Sequence, residues 1–304
     1  MNRVPAKLSE RRMQAHRHRP IWLLLALMTL GRAVVLAQSW TTIDCPDSFF
    51  TGARGINDRG DIVGTCQNDE GEHGFLLRHG RFTMIDVPDT IATTVAFGIN
   101  NRGDVVGRYV DGEDVRHGFL LRHGRFTTID PPDSVSTVAR GIDDIGQIHG
   151  FYAKSDGINR GFILDSSGYR DVFFPDATGT AVYDINTRKQ IVGGYVDSSG
   201  IPRGYLLESG VFSSIDHPDA AGTRVFGINV LGHIVGSWTD DPECPNCFTK
   251  AFLLTPDGFE NLEFPEAYET VANGINTTGQ IVGDYFGPDE IFHGFVRSGG
   301  TEDD

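Results

Sequence analysis

Residues 117–130 read HGFLLRHGRFTTID, and residues 73–86 read HGFLLRHGRFTMID. Each copy begins with a histidine and ends with an aspartate. A histidine held against a carboxylate is a general-base pairing, so His73 with Asp86 and His117 with Asp130 are the first candidates for chemistry. If His123-Gly124 is a two-residue hairpin turn, His117 and Asp130 lie directly opposite each other across two strands. The same geometry sets Arg203 opposite Asp216, His293 opposite Asp44 and, with TPDG (255–258) as the turn, Lys250 opposite Glu263. Arg160 breaks the series by facing Phe173. The cation position therefore reads His, His, Arg, Arg, Lys, His. Arginine keeps its proton near neutral pH, and lysine and histidine differ widely in pKa, so only positive charge is shared. A cross-strand charge pair needs nothing more and is worth ~0.2–1 kcal/mol. These residues are expected to be structural ion pairs, and no catalytic residue is assigned.

Other residues could do chemistry. Cys244-Pro-Asn-Cys247 has the spacing of a redox motif or half a zinc site, but it lacks a βαβ context and a second ligand pair. A loop disulfide is expected there, with Cys45–Cys66 as a second bond. The sequence VDGEDV offers Asp111, Glu113 and Asp114 as calcium ligands, since calcium takes several carboxylate and carbonyl oxygens. The EF-hand spacing is absent, so a solvated acidic rim is the competing reading and no cofactor is assigned. RGD at 59–61 and 102–104 falls in turns that need the glycine. No phosphate loop, nucleophile elbow or HExxH is present.

The elements that must position these residues come from a repeat. GINDRGDIVG from Gly55 recurs as GINNRGDVVG, GIDDIGQIHG, DINTRKQIVG, GINVLGHIVG and GINTTGQIVG, spaced by 43 residues four times and then by 47. Each period divides into four short strands, as in TVAFGI, DVVGRY, HGFLL and RFTTI. Four strands in ~40 to 45 residues is the pattern of a propeller blade. The sixth period stops after HGFVRSGG, lacking its fourth strand, while SWTTIDCPD (39–47) matches RFTTIDPPD. The expectation is an all-β, six-bladed β-propeller with four antiparallel strands per blade, the last blade closed by the N-terminal strand. The small first strand should be innermost. Phe75, Phe119, Phe162, Tyr205, Phe252 and Phe295 should pack between blades.

Residues 1–37 combine a basic region, the apolar run IWLLLALMTL and a small-residue site at Val35-Leu36-Ala37, as in a secretory signal peptide. One propeller domain over 38–300 and an acidic tail at 301–304 are expected to follow. The whole chain carries a net charge of −15. Residues 1–37 hold seven basic residues and one acid, so the remainder carries −21. Such a surface repels nucleic acid and anionic membrane. A secreted or periplasmic monomer, not inserted in a membrane after signal cleavage, is the expected form.

The HGF and KAF triplets together with GIN-x-x-G-x-IVG resemble the bacterial extracellular HAF-repeat family over nearly all of residues 39–298, although most units here read HGF or RGF. The resemblance implies a secreted repeat protein and brings no activity or catalytic residues. Three functions stay open: a non-catalytic binding module for a glycan or a protein surface, an extracytoplasmic lyase or glycosidase using carboxylates of the acidic face, and a structural component of the envelope or matrix. Asymmetry separates them, because an enzyme needs unique polar residues converging at the axis.

Overall fold

A computed structural model describes residues 38–88, 90, 93–241, 244, 247 and 249–299. The expected signal segment 1–37, Asp89 and the tail 301–304 lie outside the described residues. Among those described, every regular element is a β-strand. The first, β1 (Ser39–Ile43), precedes the repeats. Repeat 1 forms β2 (Phe50–Ile56), β3 (Ile62–Asn68), β4 (Gly71–Arg78) and β5 (Arg81–Ile85). Repeat 2 forms β6 (Thr94–Ile99), β7 (Val105–Val110), β8 (Arg116–Arg122) and β9 (Arg125–Ile129). Repeat 3 forms β10 (Ser136–Ile142), β11 (Ile148–Ala153), β12 (Asn159–Asp165) and β13 (Gly168–Val172). Repeat 4 forms β14 (Gly179–Ile185), β15 (Ile191–Val196), β16 (Pro202–Glu208) and β17 (Val211–Ile215). Repeat 5 forms β18 (Gly222–Ile228), β19 (Ile234–Thr239), β20 (Lys250–Thr255) and β21 (Gly258–Leu262), and repeat 6 forms β22 (Glu269–Ile275), β23 (Ile281–Phe286) and β24 (Phe292–Ser298).

The arrangement is a β-propeller. Repeats 2 to 5 each make a separate four-stranded antiparallel meander. Repeats 1 and 6 share one eight-stranded sheet, joined by a single parallel bridge between Phe50 and Phe292, with β1 paired to β24. Six blades of four strands are expected from the repeat; the structure has four such blades, and repeats 1 and 6 merge into the eight-stranded sheet. The β1–β24 ladder runs from Ser39↔Ser298 to Ile43↔Gly294, so the N-terminal strand completes the sheet that the last repeat leaves short. Trp40 fixes it by packing edge-on against Phe295 at 5.0 Å and Phe264 at 5.5 Å.

The repeat motif has a physical reason at each position. The Ile-Val-Gly glycine lies between strand one and the ring of the HGF aromatic. A Cβ on Gly107 would stand 2.0 Å from the Val95 carbonyl oxygen and 2.7 Å from the Phe119 ring. The aromatic series Phe75, Phe119, Phe162, Tyr205, Phe252 and Phe295 is fully buried as a result. The turns after strand three take His79-Gly80 and His123-Gly124, all with positive φ, which matches the twist of a type I′ hairpin and pins the register. The Gly-Ile-Asn asparagine caps its own turn. Asn57 Oδ1 accepts from the Arg59 and Asp61 N–H groups at 3.0 and 2.9 Å.

That asparagine also links the repeats. Asn57 Nδ2 donates to the Asn100 carbonyl, Asn100 to Asp143, Asn186 to Asn229, Asn229 to Asn276, and Asn276 back to Asn57. The one missing link is at Asp143, whose carboxylate has no N–H to give. The core lies between neighbouring repeats rather than within them. One cluster joins Val63 and Ile85 of repeat 1 to Ala96, Ile99, Val105 and Phe119 of repeat 2. Another joins Val282 of repeat 6 to Ile43, Ala53 and Phe75, carrying the packing across the junction of the chain ends.

Candidate functional site

Strand one of every repeat carries a β-bulge at the same place, between Ala53 and Gly55 in repeat 1 and between Val182 and Asp184 in repeat 4. A bulge leaves one residue out of the ladder and re-aims its side chain. The residues so released are Arg54, Phe97, Arg140, Tyr183, Phe226 and Asn273, and all six line one axial cavity. The residue after each bulge is glycine in five repeats because the backbones converge there. A Cβ on Gly98 would stand 2.8 Å from the Gly141 Cα. In repeat 4 the glycine is replaced by Asp184, whose carboxylate accepts the Ile185 and Ile228 N–H groups at 2.8 and 2.9 Å. Beyond the glycines, Ile56, Ile99, Ile142 and Ile275 line both this cavity and a well at the turn-side mouth, rimmed by Asp58, Asn101 and Asp144.

The electrostatics of the cavity are uneven. Arg54 donates to Asp284 at 2.8 Å, and Asn273 donates to the same oxygen at 2.7 Å. Arg140 lies over Phe97 at 4.3 Å, Tyr183 at 4.9 Å and Phe226 at 5.9 Å. Arg140 and Asp184 are both half-buried and line the cavity, and Asp184 also lines the turn-side well. Burial pulls the Arg140 guanidinium down to about 10. Burial raises the Asp184 carboxyl to about 6, against the opposing pull of its two N–H donors and Arg140. His149, only 1% exposed, has its Nε2 3.8 Å from Asp184 Oδ1, and burial drives its pKa down to about 3, so it is neutral.

The cross-strand candidates sit on the outer part of the sheets, away from this cavity. His73 Nδ1 lies 2.9 Å from Asp86, His117 Nδ1 2.6 Å from Asp130, Arg203 Nη1 2.9 Å from Asp216, and His293 Nδ1 2.7 Å from Asp44. Lys250 is a correction. Its register sets it opposite Glu263, but its ammonium pairs with Asp240 and rests over the Trp238 ring instead. The loop between strands two and three brings Asp240 to the lysine from its other side. The same loop supplies a second carboxylate elsewhere, Asp111 to His117, Asp197 to Arg203 and Asp289 to His293, and gives Arg160, which faces Phe173, its carboxylate in Asp156.

The same loop engagement bears on the calcium candidates. One Asp111 oxygen accepts the Glu113 and Val115 N–H groups and the other faces His117. Asp111, Glu113 and Asp114 therefore do not converge, and among the described residues no group of three or more metal-ligating side chains comes together. In the RGD turns Asp61 and Asp104 are buried and take Arg78 and Arg122. Both disulfides form, Cys45–Cys66 and Cys244–Cys247, with Cα separations of 6.1 and 5.4 Å. Cys66 takes the place held in the other repeats by Tyr109, Tyr152, Tyr195, Trp238 and Tyr285, each of which hydrogen-bonds to strand four.

The His117 and His293 clamps give a pH dependence. Burial alone would depress both imidazoles, but hydrogen bonds to Asp130 and Asp111, and to Asp44 and Asp289, outweigh it and raise their pKa values. Their contribution is complete below the ordinary histidine value of ~6.5 and is lost as the pH rises through the raised folded value. Urea melts of wild type should show stability falling as the pH rises above about 6.5. The His117→Gln/His293→Gln variant should flatten that slope, and an unchanged slope would contradict the clamps.

The axial residues escaped the sequence reading, although a signal existed. Asp184 is the one non-glycine at the start of the Gly-Ile-Asn triplet, and His149 is the one non-valine in Ile-Val-Gly. They belong to consecutive repeats and meet in space.

No protein-family model matches the chain, and neither does any curated protein. Solved structures resemble it in fold. A fucose-specific lectin from Aleuria aurantia aligns with a TM-score of 0.51 and 11% identity, covering 86% of this chain and 99% of that one. A variant of the Aleuria aurantia lectin in complex with Fucalpha1-6GlcNAc aligns with a TM-score of 0.53 and 11% identity, covering 86% and 97%. AofleA from Arthrobotrys oligospora gives 0.51 and 11%, covering 88% and 94%. Among the described residues no helix is long and apolar enough to cross a membrane.

Proposed function

We propose that this protein is an exported, non-catalytic propeller that binds a glycan, with its specificity set at the axis. The observation that carries this reading is the ring of bulge residues. The scaffold repeats almost identically, yet these six positions hold two guanidiniums, an amide and three aromatic rings. The rings hold the guanidinium in place, while fixed donors select the hydroxyls and carboxylates of a ligand that reaches the axis. The likeness in fold to a fucose-specific lectin agrees with the reading. The disulfides fit an oxidising compartment, and the repeat motif fits an extracellular protein of the HAF-repeat kind.

The ring counts six blades on this reading, the eight-stranded sheet being two blades bridged at one residue pair. The asparagine girdle, which passes once through each repeat, supports that count. Binding is favoured over catalysis because the axial carboxylates are already engaged. Asp184 is held by backbone N–H groups, and Asp284 by Arg54 and Asn273.

A thermal-shift screen against neutral and acidic oligosaccharides, fucosides included, tests this. A ligand at 100 times its dissociation constant adds ~2.7 kcal/mol, which is ~5–10 °C for a domain of this size. A saccharide shift of that size is expected. If no saccharide moves the melting temperature, the glycan reading fails.

A further inference from the structure

Arg140 holds a charge whose hydrogen-bonding capacity the protein leaves unused. A guanidinium carries five N–H donors. The other axial arginine, Arg54, gives one to Asp284, and arginines elsewhere also meet carboxylates: Arg78 with Asp61, Arg122 with Asp104, Arg297 with Glu260. Among the described residues Arg140 meets three aromatic rings and no hydrogen-bond acceptor, and its Nε is buried without a partner. Cation–π contact returns less than an ion loses when it gives up water without gaining an acceptor. Asp184 is on the same wall, but its oxygens are turned to the Ile185 and Ile228 N–H groups. A protein that keeps a cation in this state has a place for an anion.

We propose that the axial cavity receives the carboxylate of an acidic sugar, with Arg140 as its recognition fork; this rests on the glycan reading above. A planar carboxylate matches a guanidinium in a two-point contact that a hydroxyl cannot reproduce. A singly charged head balances one unpaired guanidinium, whereas a phosphate dianion would bring excess charge beside Asp184 and Asp284. The cavity, at ≈ 70 Å³, holds a carboxylate and a few waters rather than a hexose ring. The ring would stay in the adjoining groove of ≈ 100 Å³, which shares Tyr183 as a wall and is lined by Asn159 and Arg224, with Arg203, already held by Asp197 and Asp216, at its outer side. The turn-side mouth is unfavourable for an anion, because it presents Asp58 and Asp144.

Calorimetric titration of the protein with galacturonate, its methyl ester, galactose and acetate provides the test. Galacturonate should bind at least about tenfold more tightly than the ester or galactose, a difference of ~1.4 kcal/mol. Arg140→Gln should abolish that preference and Arg140→Lys should keep part of it, with melting curves showing that both variants fold. The acid-against-ester comparison on wild type holds even if neither variant folds. Equal binding of acid, ester and galactose would overturn the carboxylate site while leaving glycan binding intact. Acetate binding as tightly as galacturonate would overturn the sugar assignment. No binding by any saccharide would overturn both readings.

Discussion

Removing residues 38–47 should leave a protein that is poorly exported and melts at least ~10 °C lower. The deletion takes away β1, and with it the five residue pairs that cover β24. It removes Ile43, 5% exposed, whose burial is worth ~1.5–3 kcal/mol. It breaks Cys45–Cys66, which closes a loop of 21 residues and contributes ~2–4 kcal/mol. It also uncovers Phe295, on which Trp40 packs. These losses exceed ~5 kcal/mol against a total stability of ~5–15 kcal/mol, and each kcal/mol is worth ~2–4 °C here. The bared β24 would be an unprotected edge open to pairing with other chains. Cys45→Ser with Cys66→Ser isolates the covalent part and should cost only its ~2–4 kcal/mol share. A deletion that melts within ~2 °C of wild type would mean that β1 does not hold the first and last repeats together.

The repeat made the scaffold legible. Its period gave four strands per unit, and the unmatched ends gave the pairing of β1 with β24. Register followed from turn chemistry, because His-Gly at positive φ fixes which residues face each other, as His117 and Asp130 do. What stayed hidden depended on residues distant in sequence. Lys250 stands in register with Glu263, but a loop not paired in that ladder brings Asp240 closer. The acids of VDGEDV read as free ligands until Asp111 proves to be occupied by its own loop's N–H groups and His117. The axial ring was hidden for the opposite reason. A bulge carries no sequence mark of its own, and positions 54, 97, 140, 183, 226 and 273 differ so much that they looked like tolerance in the repeat. A repeat pattern records what all units need. A site that belongs to one axis is written in the departures from it, as at Asp184 and His149.

The glycine of Ile-Val-Gly is the position where the scaffold tolerates least. Gly107→Ala should cost ~3 kcal/mol or more, a fall of ~6–12 °C in melting temperature. The new methyl would have to sit 2.0 Å from the Val95 oxygen and 2.7 Å from the Phe119 ring. Neither neighbour has room to yield. Val95 is on the innermost strand, next to Ala96, which pairs with Gly107, and Phe119 is fully buried between repeats. Gly112→Ala is the control, since nothing lies within 4 Å of its would-be Cβ, and its effect should stay within ~0.5 kcal/mol. Combining Gly107→Ala with Phe119→Leu separates the two clashes. The smaller side chain relieves the ring contact but not the carbonyl contact, so the pair should be non-additive with only partial recovery. Full recovery would place the whole constraint on the aromatic ring. A Gly107→Ala protein as stable as wild type would show that strand one can retreat toward the axis, and a strand free to do so could not hold the bulge residues in a fixed ring.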